Sequence, residues 1–280
     1  MSVPYPPYPP HQPALQRRPL WLLIIGALVL AIALVTAVVV IAVRSGSSSS
    51  IASCADVEFI GAAGSSQRDI DPSSGTTEIA DSGVGGFVED TYQNLAVDLP
   101  EGTDINLRAV EYPAMAVPVK PTVDNWTAFL NSVSTGASEA EQLIRATMDE
   151  CGDSKIVVAG YSQGAMAVHR ALRAIGPDDR ITAGVLIGDG DKVLDDNVET
   201  IPEYDTDARQ GIAQVVLANG INSGAVNEVL PPEWNSRIIS PCMSGDVVCA
   251  PNSFALLRVT AHVSYDADDW RGQLLSKVTT

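Results

Sequence analysis

Ile156-Val157-Val158-Ala159 runs directly into Gly160-Tyr161-Ser162-Gln163-Gly164, and a helical pattern from Ala165 to Leu172 follows at once. Few folds accept a buried strand that turns so sharply into a helix. A sheet of such strands is mainly parallel, with helices covering both faces. In a turn this tight only glycine is tolerated on either side of the central residue. The Ser162 hydroxyl is pushed out above the sheet, next to the helix N-terminus. Gly-x-Ser-x-Gly alone is a modest signal, and its setting between strand and helix is what gives it weight. Ala165, Val168, Leu172 and Ile175 fall on one stripe of the helix, the face that should rest on the sheet.

The rest of the body repeats the alternation. Apolar, β-rich runs are predicted at Val57–Gly61, Ile105–Tyr112, Ile156–Ala159 and Ile181–Ile187. Helical patterns lie within Gly85–Leu99, around Asp124–Val133, over Ser138–Glu150 and over Ser162–Ile175, with a C-terminal one over Ala267–Lys277. Ser138 with Glu141 three residues on reads as a capping box, which predicts a helix start there. No internal repeat is visible. Residues 195–236, with Pro202, Pro231 and Pro232, are less regular, and a flap near the site is the expectation they raise.

Ahead of this body, Leu20 to Val43 is apolar and uncharged. Its 24 residues would span roughly 36 Å as a helix, enough for a hydrocarbon core of about 30 Å. A cleaved signal has a shorter apolar region, so the reading is an uncleaved single-pass anchor over 20–43, with secretion after cleavage as the alternative. Arg17 and Arg18 precede the stretch and only Arg44 follows closely, which keeps the N-terminus inside and the body extracytoplasmic. Residues 1–19, rich in Pro and Tyr, read as a cytoplasmic tail without a fold. Residues 44–53 are a Ser/Gly linker, and 54–280 form the folded domain. With 34 acidic against 17 basic side chains, and none of the acids in the first 45 residues, the body lacks the basic clusters that nucleic-acid binding requires. Cys54, Cys151, Cys242 and Cys249 all follow the anchor, an even count that predicts two disulfides, with three pairings open.

A serine hydroxyl needs a base to take its proton. Of the three histidines, His11 precedes the anchor. His169 lies seven residues along the helix from Ser162, about 10 Å away along its axis, and reads as a flank or surface residue. His262 remains. The acid that orients it should fall between nucleophile and base, and Asp246, inside Cys242-Met-Ser-Gly-Asp246-Val-Val-Cys249, is the leading candidate, with Asp189 the competitor. The oxyanion hole is expected from the Gln163 backbone N–H and the small-residue turn Ala62–Gln67.

At this point the residues resemble a known family. Cys54-Ala-Asp-Val, Gly64-Ser65-Ser66, Tyr112-Pro-Ala, Gly160-Tyr-Ser-Gln-Gly164, Gly245-Asp246-Val-Val-Cys249 and His262 occur in the order seen in cutinases. The chain is similar to membrane-anchored, actinobacterial-type cutinase-like serine esterases. The resemblance implies an α/β-hydrolase with a central, mostly parallel five-stranded sheet flanked by helices. It also implies hydrolysis of lipid or polyester-type acyl esters through an acyl-enzyme, without cofactor or metal, in a monomer. It gives Ser162, Asp246 and His262 as the triad, Ser65 with Gln163 at the oxyanion hole, and the pairs Cys54–Cys151 and Cys242–Cys249. An envelope acyltransferase, phospholipase or thioesterase could use the same site. A non-catalytic envelope protein is the reading from another class.

Overall fold

The computed structural model describes residues 54–69, 79–118, 122–201, 204, 209–218, 222–251 and 259–280. The predicted tail, the anchor over 20–43 and the linker lie outside the described residues. Among the described residues no helix is long and apolar enough to cross a membrane. Residues 54–280 form one compact unit.

The elements are β1 (Val57–Ala62), α1 (Gly86–Asp98), β2 (Ile105–Ala109), α2 (Val123–Glu150), β3 (Lys155–Tyr161), α3 (Gln163–Ile175), β4 (Ile181–Ile187), α4 (Ile212–Ala218), β5 (Ile238–Ile239), α5 (Val259–His262) and α6 (Asp268–Thr279). The five strands lie in the order β2-β1-β3-β4-β5, and every neighbouring pair is parallel, so the expected sheet is present. Strand order reverses between β1 and β3. In a doubly wound sheet the crevice outside the carboxyl ends of two such strands is where ligands bind.

Alternation along the strands builds a core on each face. Phe59, Val157, Ala159, Val185 and Ile187 pack with Val88 and Leu95 of α1 and Trp270 and Leu274 of α6. Ile60, Ala62, Ile156, Val158 and Leu186 pack with Ala140 and Ile144 of α2 and with Ala165, Val168 and Leu172 of α3. The stripe predicted for α3 is therefore the face that meets the sheet. Glu58 points into this core and is fully buried; it accepts from the Ala55 N–H and from Arg108 Nε at 2.6 Å.

One prediction is corrected here. The helices expected over Asp124–Val133 and Ser138–Glu150 are a single 28-residue helix, capped at its start by Thr122, whose side chain accepts from the Asn125 N–H at 3.3 Å. Ser138 and Glu141 are mid-helix and make ordinary i,i+4 contacts with Gln142 and Arg145. Gly136 lies inside this helix, where close packing leaves no room for a side chain. A Cβ on it would lie 2.7 Å from the Tyr112 ring and 3.1 Å from Ala167 Cβ.

Both disulfides are present, Cys54–Cys151 and Cys242–Cys249, with sequence separations of 97 and 7. The long bridge ties the entry to β1 to the end of α2. Replacing Cys54 and Cys151 together by alanine is expected to lower stability by about 4–5 kcal/mol on the chain-entropy model. Guanidinium unfolding of the two forms measures this; a loss below ~1 kcal/mol would mean that the open loop stays ordered in the unfolded chain.

Candidate active site

The two glycines of the elbow are required by backbone contact on both sides. A Cβ on Gly160 would sit 2.4 Å from the Gly164 carbonyl oxygen, and one on Gly164 would sit 2.1 Å from the Ala62 carbonyl oxygen. Between them Ser162 adopts φ 53°, ψ −113°, a left-handed backbone that a non-glycine residue holds only under constraint. Its N–H donates to the Ile187 carbonyl at 2.8 Å, extending the β3–β4 ladder to the turn, and its carbonyl starts α3 by accepting from Met166. Gly164→Ala is expected to cost about 3 kcal/mol of stability through overpacking, and about 100-fold in kcat/KM by shifting the elbow against β1. Urea unfolding with steady-state kinetics checks both; an unaltered variant would refute the close approach.

Opposite the elbow stands the turn after β1. The Gly64 N–H donates to Gln67 Oε1 at 2.7 Å and the Ser66 N–H to the Ala114 carbonyl at 2.7 Å, while the Tyr112 hydroxyl donates to the Ala63 carbonyl. The turn is thus pinned to the segment after β2. Ser65 Oγ is buried and has no hydrogen-bond partner. Gln163 opens α3, so its N–H is one of the first-turn donors left without a helical acceptor. The Gln163 side chain accepts from Ser132 Oγ at 3.3 Å and donates to the Met115 carbonyl at 3.4 Å, joining the elbow to α2 and to the pinned segment.

His262 ends α5, 100 residues along the chain from Ser162. Its Nε2 lies 2.9 Å from Ser162 Oγ and its Nδ1 lies 2.9 Å from Asp246 Oδ2. Gly188, just past β4 at φ 59°, leaves room for the imidazole; a Cβ there would lie 3.1 Å from His262 Cε1. Tyr161 stacks on the ring at 5.0 Å and donates its hydroxyl to the His262 carbonyl at 2.7 Å.

Asp246 is fully buried, and each of its oxygens faces two donors. Oδ2 accepts from His262 and from the Tyr265 hydroxyl at 2.5 Å; Oδ1 accepts from the Val248 and Cys249 N–H groups at 2.6 and 3.3 Å. Burial opposes the charge, but His262, Tyr265 and the Val248 N–H outweigh it and hold the carboxyl below its ordinary range. Burial first, and then Asp246, pushes the Tyr161 and Tyr265 phenols well above the usual tyrosine range, so both stay O–H donors.

His262 therefore bridges Ser162 and Asp246, the three drawn from distant stretches of chain. The family model for cutinases matches residues 53–276.

The chain belongs to the cutinase family.

Cutinase 4 of Emericella nidulans is 30% identical over 153 residues, covering 53% of this chain and 58% of that protein. Carboxylesterase Culp1 of Mycobacterium tuberculosis is 26% identical over 166 residues, 59% of each chain. The match thus spans somewhat over half the length of these relatives. A solved cutinase-like protein from Cryptococcus sp. superposes with a TM-score of 0.55 at 17% identity, over 81% of this chain and 95% of that one, a likeness of fold.

Within this cutinase-family domain one assignment differs from the sequence reading, that of His169. It is buried, 1% exposed, and not a surface residue. Asp189, the alternative acid for His262, instead meets His169 Nδ1 at 2.6 Å. Burial disfavours charge on His169, yet Asp189, then Asp196 and Asp191, raise its pKa. Amphipathic periodicity could not reveal this, because α3 is buried almost all round in its first half. Tyr265 was also overlooked. Its signal was a tyrosine three residues from the candidate base, since a buried phenol needs a partner for its hydroxyl.

Proposed function

We propose that this cutinase-family chain is a carboxylic-ester hydrolase in which Ser162 is the nucleophile, His262 the general base and then acid, and Asp246 the orienter. The observation that carries this reading is His262 bridging Ser162 Oγ and Asp246 Oδ2 at 2.9 Å on each side. With Asp246 accepting from Nδ1–H, the Nε2 lone pair faces the serine. Ser162 Oγ attacks the ester carbonyl as its proton passes to Nε2. The tetrahedral oxyanion takes hydrogen bonds from the Gln163 N–H and from Ser65 Oγ, whose lack of any other partner supports this role. Collapse breaks the ester C–O bond, and His262 returns the proton to the leaving alcohol. Water then reverses the sequence on the acyl-enzyme. No step calls for a cofactor or a metal.

The substrates are acyl esters of lipid or polyester type. The uncharged stretch 20–43, with Arg17 and Arg18 before it, supports a single-pass anchor with the N-terminus inside. The two disulfides support an oxidising, extracytoplasmic setting for the domain. A fluorophosphonate probe should label the folded protein on Ser162 alone, as peptide mass mapping would report. Failure of the folded protein to label would refute the hydrolase reading and favour a silent site.

A further inference from the structure

Tyr265 lies on the loop between α5 and α6, three residues past His262, and is 5% exposed. Its hydroxyl oxygen accepts from the Met243 N–H at 3.2 Å, which leaves the O–H free to point at Asp246 Oδ2, 2.5 Å away. That oxygen is the one that also holds His262 Nδ1. The ring is wedged edge-on among Phe87, Tyr161 and Tyr204, which fixes the hydroxyl oxygen; its remaining contact is with Cys249 Sγ at 3.5 Å, a weaker partner than the carboxylate. Met243 is next to Cys242, so the same contact ties Tyr265 to the short disulfide loop that carries Asp246.

We propose that Tyr265 is a positioning residue for the triad, one that aligns Asp246 Oδ2 with His262 Nδ1 and shares its charge, thereby setting how strongly His262 binds the proton from Ser162. This rests on the hydrolase reading above. A carboxylate oxygen divided between two donors attracts each less than it would attract one alone. Without the phenol, Asp246 would stabilise the imidazolium more, and His262 would become a stronger base that also gives its proton up less readily. The other ionisable groups around the ring are Tyr161 of β3, Tyr204, Asp90 of α1, and Asp266 and Asp268 beside it. None of the four besides Tyr161 contacts His262 or Asp246 directly among the hydrogen bonds and ring contacts described, and the variants below leave all of them in place.

The test is kcat/KM against pH on a p-nitrophenyl ester for the wild type, for Tyr265→Phe, and for the protein with 3-fluorotyrosine at 265. Tyr265→Phe should move the acidic limb up by about 0.5–1 pH unit and lower plateau kcat about tenfold, with KM little changed. The fluorinated phenol is a stronger donor of nearly the same shape, so it should move the limb the other way, by a few tenths of a unit. In an Asp246→Asn background Tyr265→Phe should have no further effect on the limb. Limbs that stay put in both Tyr265 variants, with only a lowered Tm for Tyr265→Phe, would reduce Tyr265 to packing and overturn the proposal. If Tyr265→Phe does not fold, the fluorotyrosine protein decides alone. Wild-type labelling by the fluorophosphonate separates the two failures: unlabelled wild type sinks the hydrolase reading, whereas labelled wild type with unmoved limbs sinks only the role of Tyr265.

Discussion

Ser162→Ala is expected to lower kcat on p-nitrophenyl esters by about 10⁶-fold, the scale at which triad members act as one unit. The hydroxyl is the atom that His262 Nε2 faces at 2.9 Å, and among the described residues no other serine is hydrogen-bonded to that imidazole. The substitution deletes one oxygen from a residue that is 6% exposed and whose side chain makes no capping bond to its own helix. The elbow backbone, held by the Ile187 carbonyl and by Gly160 and Gly164, keeps its course. Unfolding by urea should therefore change by no more than about 1 kcal/mol, the net worth of the one hydrogen bond to His262 that is lost. Residual activity of some 10³–10⁴-fold over water should remain, because the Gln163 N–H and Ser65 Oγ proposed to hold the oxyanion are untouched. A variant within tenfold of wild type would move the nucleophile elsewhere.

Asp246→Asn should cost about 10⁴-fold in kcat while leaving the fold in place, the size seen when an orienting acid becomes an amide. The environment of Asp246 makes this sharper than a simple loss of charge. Both oxygens are surrounded by donors, so an amide NH₂ must confront a donor whichever way it turns. With its oxygen toward the Val248 and Cys249 N–H groups, the NH₂ faces His262 Nδ1 and forces the ring proton onto Nε2, where it points at Ser162 and cannot accept. Turned the other way, the NH₂ meets the Val248 N–H at a site now 2.6 Å from an acceptor. Activity measured from pH 6 to 10 distinguishes the outcomes. Recovery at high pH, where hydroxide replaces the base, fits the tautomer argument; loss of less than tenfold throughout would remove Asp246 from the triad.

Much of the site was legible because its parts obey local rules. The elbow needed glycine at 160 and 164, and the structure gives the reason: a Cβ at either would meet backbone at 2.4 and 2.1 Å. Counting histidines left His262, and chain order preferred Asp246 to Asp189; in the structure Asp246 lies on His262 and Asp189 on His169. Helix limits were less legible. The capping box at Ser138 was chemically sound, but a cap acts only where a helix begins, and packing against α3 carries α2 through Gly136 without a break. The burial of His169 was invisible for the same reason, since its position depends on what covers the far side of α3.

Local sequence determined the strand–turn–helix that presents Ser162, the alternation that builds a parallel sheet, and the four cysteines of the domain. These follow from steric limits and periodicities that act within a few residues. Only the tertiary structure decided which cysteines pair, that the early turn closes on the elbow, that His262 bridges Ser162 and Asp246, and that Tyr265 meets Asp246. Those contacts join residues up to 100 positions apart, and they form because the parallel sheet gathers the carboxyl ends of β1, β3 and β4 into one crevice. The pentapeptide specifies a turn; the sheet makes that turn a site.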